Sequence, residues 1–186
     1  RDGTMEALRR EFGLEPFPEA YWQRLSVKPV RAIYRSKMHP TLRVIDKENG
    51  GKADALNAGI NASRYPLFCS VDADSVLERV SMRRVVQPFL ENPHTIASGG
   101  SIRIANGCTF DSGFLTSKGL PRNPLALFQV VEYMRAFLFG RLGWSPLNAV
   151  LIISGAFGVF RKEVVVKAGG YRTDTVGEDM ELVVRL

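Results

Sequence analysis

Apolar positions along this chain follow two alternating rhythms, one helical and one extended. Thr4 to Phe12, with a polar cap ahead and Gly13 behind, predicts a helix. The Pro-rich stretch 13–28 predicts irregular chain, and Val30–Tyr34 and Leu42–Ile45 predict strands. Asn49-Gly50-Gly51 predicts a turn into a helix over Ala53–Ala62. A strand is predicted from Pro66 to Val71. Ser75-Val-Leu-Glu78 then has the spacing of a capping box and predicts a helix from there to Leu90. Thr95–Ala105 predicts extended chain and Asn106–Asn123 a glycine-containing loop. The remaining elements are an apolar helix over Pro124–Arg141, a strand over Ala156–Phe160, a short helix over Lys162–Lys167, a break at Gly169-Gly170, and a final helix opened by Thr175-Val-Gly-Glu178.

Alternating strands and helices define an α/β domain, and the expected sheet is largely parallel. With 186 residues, 45% apolar and 24% charged, the chain is long enough for one domain with a real core. The net charge of +6 suits a nucleotide phosphate, a polyanion or an anionic membrane face, or simply a solvated basic surface. Cys69 and Cys108 do not make a disulfide framework, which favours a reducing compartment. Residues 1–12 are polar and charged, so no signal peptide is expected there.

Two apolar stretches raise a membrane question. Leu142–Phe160 holds no formal charge but contains Trp144, Pro146, Asn148 and three glycines, and reads as a loop plus a buried strand rather than a span. In Pro124–Arg141 only Gln129, Glu132 and Arg135 interrupt the apolar run. Such a helix is buried in a core or lies against something apolar, a membrane interface included.

The polar positions hold the chemistry. On the helix after Gly51, Ala53, Leu56 and Ile60 form an apolar face, while Asp54, Asn57 and Asn61 repeat the spacing on a neighbouring polar one. Lys52, after two glycines, can pair with a phosphate or hold Asp54. Asp72 and Asp74 follow an apolar strand. On extended chain they would face the same way and share one hard cation just past the strand's carboxyl end, where open α/β sheets bind ligands. Two carboxylates so placed repel unless a positive group lies between them.

Glu178 completes the second capping-box pattern. Asp179, in the first helical turn, is the better candidate for a general base, because a helix N-terminus favours its ionised form. Ser154-Gly155-Ala156-Phe157-Gly158 is either a tight bend in a core strand or a place where small residues let a bulky ligand approach the backbone. No zinc spacing, nucleophile elbow, Walker loop or dinucleotide fingerprint is present.

Taken together, Asn49-Gly-Gly-Lys52-Ala-Asp54-Ala-Leu-Asn57-Ala-Gly59, Asp72-Ala-Asp74, Ser154-Gly-Ala-Phe157 and Gly177-Glu178-Asp179 resemble the inverting family 2 glycosyltransferases. Within that family they look most like the membrane-bound, often processive branch that makes cellulose, chitin, hyaluronan and poly-N-acetylglucosamine. The resemblance implies a GT-A fold, a nucleotide-sugar donor (usually a UDP-sugar), a glycan acceptor and Mg²⁺ or Mn²⁺. It implies that Asp72 contacts the nucleotide and that Asp74, with Asp72, holds the metal at the diphosphate. Lys52, Asp54 and Asn57 would line the nucleotide side. Asp179 would be the catalytic base with Glu178 beside it, and Ser154, Gly155 and Ala156 would border the acceptor.

Measured against that family's pattern, Arg1-Asp2-Gly3-Thr4 resembles the tail of a nucleotide-contacting loop, and Leu186 precedes the expected Q-x-x-R-W motif and transmembrane helices. The expectation is therefore one catalytic domain cut from a larger membrane protein at the cytoplasmic face. Residues 1–105 would form an incomplete nucleotide-sugar half and residues 106–186 a shortened acceptor half. Unpaired sheet edges would permit dimers or strand swaps, and the isolated fragment is expected to be inactive. Two other classes share part of the pattern. A metal-dependent nucleotidyltransferase uses the same carboxylates but transfers the nucleotidyl group. A nucleic-acid-binding module rests on net charge alone and lacks aromatic residues interleaved with the basic ones, so no nucleic-acid partner is expected.

Overall fold

The computed structural model describes residues 3–111, 113–136, 153 and 155–186. They form two compact units, one of residues 1–64 with 169–175, the other of residues 65–168 with 176–186.

In the first unit, helix α1 (Thr4–Phe12) ends at Gly13, whose left-handed backbone (φ 55°) lets its N–H bond back to the Arg9 carbonyl. Three antiparallel strands follow in spatial order, β1 (Leu14–Pro16), β2 (Val30–Ser36) and β3 (Arg43–Lys47). The short β1 lies within the stretch expected to be irregular. It pairs with the end of β2, Leu14 opposite Ser36, and the buried Ser36 hydroxyl ties the neighbouring turn by bonding the Phe12 carbonyl at 2.6 Å. Helix α2 (Gly51–Ala62) follows β3. Its Asp54, Asn57 and Asn61 are as buried as Ala58 and Ile60. The polar face is therefore not the solvent-facing side of an ordinary amphipathic helix.

In the second unit, β4 (Leu67–Val71), β5 (Ala97–Gly99) and β8 (Phe157–Arg161) form a sheet in the order β4-β8-β5. Helix α3 (Ser81–Glu91) connects β4 to β5. Both of those strands run antiparallel to β8 and so share a direction, but β8 occupies the place between them. Among the described residues every hydrogen-bonded strand pair is antiparallel. The expected mostly parallel pairing is thus not what these residues form. A strand–helix–strand rhythm fixes the common direction of β4 and β5, but it does not reveal a distant strand that inserts between them.

Strand alternation decides the core of this unit. Leu67 and Cys69 of β4 and Phe157 and Val159 of β8 pack against Val85, Val86 and Phe89 of α3. Phe68 and Phe160 stack across the β4–β8 pair, with ring centroids 5.5 Å apart. Gly100 is required beside this core, because a side chain there would run into the Phe157 ring. The capping box at Ser75–Glu78 does not open a helix. α3 starts six residues later, its N-cap is Val80, and the Glu78 carbonyl takes the Ser81 N–H in a turn at 2.9 Å.

A hairpin of β6 (Thr109–Asp111) and β7 (Phe114–Ser117) lies in the segment expected to be loop, and helix α4 (Pro124–Met134) follows, capped by the Asn123 side chain. α4 buries none of its residues, and Leu125, Phe128 and Val131 are exposed. Core packing therefore does not account for its apolar composition. The expected continuation to Arg141, and most of the apolar stretch 142–160, lie outside the described residues. Among the described residues no helix is long and apolar enough to cross a membrane. Two short helices complete the unit, α5 (Lys162–Lys167) and α6 (Glu178–Arg185), with Val165 and Leu182 fully buried.

Candidate functional site

The site begins where β4 ends. Pairing with β8 places Val71 opposite Phe157, and the ladder reaches one step further, the Asp72 N–H donating to the Ala156 carbonyl at 3.3 Å. The strand stops at that point. The Ser75 N–H donates to the Asp72 carbonyl at 3.1 Å, closing a turn over Asp72–Ser75. Asp72 and Asp74 are thus presented by a turn, not by the alternation of an extended strand, with Asp72 half-buried and Asp74 exposed. Two residues upstream, Ser70 is buried, and its hydroxyl has no hydrogen-bond partner among the described residues.

The turn at Gly155–Ala156 meets the other acidic signature on its far side. The Gly155 N–H donates to Asp179 Oδ2 at 2.8 Å. Asp179 sits in the first turn of α6 beside Glu178, and its Oδ1 receives the Met180 N–H at 2.9 Å. The N-cap of α6 is Gly177 in left-handed conformation (φ 85°), with no side chain capping it, so the Thr175–Glu178 pattern does not act as the helix cap. Gly155 and Ala156 therefore bridge Asp72 to Asp179 through consecutive backbone groups. Asp72 through its backbone and Asp179 through its carboxylate, both half-buried residues, contact one short turn of small residues. Ser154 lies outside the described residues.

The remaining candidates belong to the first unit. Lys52 is exposed at the start of α2. Asp54 is 3% exposed and spends both carboxylate oxygens. Oδ1 accepts the Lys28 N–H at 2.8 Å, and Oδ2 pairs with the Lys47 ammonium. Burial works to raise its pKa, but hydrogen bonds from Lys47 and the Lys28 backbone outweigh it and hold the carboxyl below its ordinary value. The cation holding Asp54 is thus Lys47, at the end of β3, where the sequence pointed to Lys52 as one alternative. Gly50 packs against the Asp54 carboxylate and the Lys28 side chain, leaving no room for a side chain of its own. Asn57 bonds both backbone groups of Tyr171, donating to the carbonyl at 2.8 Å and accepting from the N–H at 2.9 Å. Asn61 does the same for the segment before β2, accepting from Arg24 and Leu25 N–H groups at 3.0 Å and donating to the Leu25 carbonyl at 2.9 Å.

Spacing alone could not find Lys47 or Tyr171. Their signal is the need of a buried polar helix face for partners, and sequence does not say which distant residues supply them.

Among the described residues no group of three or more His, Cys, Asp or Glu gathers as a ready-made metal cage. The donor set at Asp72 and Asp74 nevertheless fits Mg²⁺ or Mn²⁺. Such ions take one or two carboxylates and complete their shell with water and substrate phosphates.

The Glycosyl transferase family 2 profile matches residues 26–167, and the chain belongs to that family of glycosyltransferases. The family's GT-A fold is the α/β architecture of which these elements are part. The match takes in every candidate above except Glu178 and Asp179, which follow it. The chain is 32% identical over 151 residues to poly-beta-1,6-N-acetyl-D-glucosamine synthase of Staphylococcus aureus (strain COL), an alignment covering 80% of this chain and 33% of that protein. It is 30% identical over 149 residues to the synthase of the same name from Staphylococcus epidermidis, with the same coverage. The chain thus spans about a third of the length of these relatives.

Proposed function

We propose that this chain is the catalytic part of a polysaccharide synthase that transfers a sugar from a nucleotide-diphosphate donor to a glycan acceptor with inversion. The observation that carries the reading is the bridge from Asp72 through Ala156 and Gly155 to Asp179. In this reading Asp72 is the donor-side residue and Asp179 the base, and both contact one turn of small residues. The relatives' names support N-acetylglucosamine as the transferred sugar, and the family resemblance supports a UDP-sugar as the donor.

In this reading Asp72 faces the nucleotide, and Asp74, with Asp72, holds Mg²⁺ or Mn²⁺. The metal, when bound, offsets negative charge on the diphosphate leaving group. The family motif assigns Lys52, exposed at the start of α2, to the nucleotide side, with Asp54 and Asn57 as buried supports of that helix and not as direct contacts. The Gly155–Ala156 turn, with Ser154, borders the acceptor. Asp179 removes the proton from the acceptor hydroxyl as that oxygen attacks the anomeric carbon. The bond from that carbon to the diphosphate oxygen breaks, and the nucleoside diphosphate leaves with the electron pair. One displacement inverts the configuration, so an α-linked donor gives the β linkage that the relatives' names carry.

Asp179 accepts one N–H at each carboxylate oxygen, from Gly155 and from Met180, and sits in the first turn of α6. Glu178, beside it, adds to the same first turn. We place the whole protein at the cytoplasmic face of the cell membrane, where a cytosolic nucleotide sugar meets a growing polymer. The exposed apolar face of α4 is the part of this chain that suits such a surface.

The test is calorimetric titration of UDP into the full-length protein, with Mn²⁺ and with EDTA. Metal-dependent binding that Asp74→Ala abolishes supports the donor-site assignment. Binding that survives both EDTA and Asp74→Ala refutes it.

A further inference from the structure

The buried polar face of α2 is one device used three times. Asp54, Asn57 and Asn61 stand at successive turns of one helix, and each is closed onto backbone from elsewhere in the chain. Asp54 holds the approach to β2 at Lys28, and Asn61 holds Arg24 and Leu25. The middle clamp reaches furthest in sequence. Asn57 and Tyr171 are 114 positions apart and both are 3% exposed.

The geometry of that clamp is specific to asparagine. One planar amide supplies a donor and an acceptor to the two backbone groups of one residue, as a neighbouring strand would. Aspartate matches the shape but has no donor for the Tyr171 carbonyl. Alanine removes both bonds at once, one from a buried N–H and one from a buried C=O. Gly170 keeps the approach close. Its φ is +73°, and a Cβ there would lie 2.6 Å from Asn57 Oδ1 and 2.7 Å from a Leu25 methyl.

Tyr171 lies eight residues ahead of Asp179 in the chain. The connecting stretch ends in the left-handed Gly177 that starts α6. Where this connection begins is therefore set by α2, through two hydrogen bonds that no ligand is needed to form.

We infer that Asn57 is a positioning residue: by clamping the Tyr171 backbone it anchors the segment that delivers Asp179. The inference rests on Asp179 being the base, and it gives Asn57 a role distinct from contact with the nucleotide.

The experiment compares wild type, Asn57→Ala, Asn57→Asp and Asp179→Asn in the full-length protein, using UDP-N-acetylglucosamine as the donor. Amide exchange at Tyr171 is followed in parallel. Both Asn57 variants are expected to speed exchange at Tyr171 and to lower kcat tenfold or more, with the donor KM within about twofold of wild type. Asn57→Asp keeps the shape and one of the two bonds, so it gives a folded variant if Asn57→Ala does not fold. A rise in donor KM at unchanged kcat overturns the inference, because Asn57 then binds the donor. Faster exchange at Tyr171 with unchanged kcat overturns it as well. Unchanged exchange at Tyr171 shows that the clamp itself is absent in solution. Full activity of Asp179→Asn is a separate result: it removes the base assignment whatever the Asn57 variants do.

Discussion

Asp179 accepts a 2.8 Å hydrogen bond from the backbone N–H of Gly155. Because Ala156, the next residue, accepts from the Asp72 N–H, this contact ties the proposed base to the end of the strand that bears the proposed donor carboxylates. Asn at position 179 keeps an oxygen for Gly155 but cannot take a proton. Asp179→Asn is therefore expected to fold normally, to bind UDP as wild type does, and to lose about 10²–10⁴-fold in kcat. Steady-state kinetics alongside UDP titration checks the separation.

The Lys47–Asp54 pair is a stability element of the first unit. Both side chains are nearly buried, at 9% and 5% exposure. Removing one partner strands the other, so Asp54→Ala is expected to cost about 3–5 kcal/mol in a urea melt. The sign of the pH dependence follows from the lowered Asp54 pKa. The folded state binds that proton less readily than the unfolded chain, whose value is near 3.8. The contribution is full above that value and is lost as the pH falls through the folded one. Wild type should thus lose stability toward pH 3 more steeply than Asp54→Asn does.

Asp54 and Asn57 also show how far the sequence could be read. Their helix, their spacing and their shared face were all legible, because a polar row at three- and four-residue steps is visible in one dimension. Their burial was not. Each is satisfied by backbone or a lysine outside the helix, and pattern does not reveal long-range partners. The final acidic pair was legible for the same local reason, whereas its contact with Gly155 depends on a turn 24 residues earlier. Two local signals misled. Ser75 and Glu78 have capping-box spacing, but the chain uses Asp72–Ser75 for a turn and starts α3 at Ser81. The alternation of strands and helices suggested parallel pairing, but β8, far away in sequence, takes the place between β4 and β5.

Gly170 is expected to tolerate no side chain. Its positive φ penalises any L-residue, and the added methyl would meet Asn57 and Leu25. Gly170→Ala should destabilise the protein by about 2–4 kcal/mol in chemical denaturation. An effect below about 0.5 kcal/mol, the size of an ordinary surface change, would show that the close packing does not persist in solution.

Cys69 should react slowly with thiol reagents. Burial pushes its pKa up to about 11, which leaves about one thiolate in a thousand at pH 8. Mass spectrometry after brief iodoacetamide treatment should find Cys69 unmodified in the native protein and modified once the chain is unfolded in urea.

Sugar transfer with inversion leaves its signature in the products. The full-length protein would be given UDP-N-acetylglucosamine labelled separately in the sugar and in the uridine, with the linkage read by NMR. The sugar label is expected to enter a glycan in β linkage while the uridine label is released as UDP, and Asp179→Asn is expected to abolish both. Uridine label carried into the product, or an α linkage, would contradict sugar transfer with inversion.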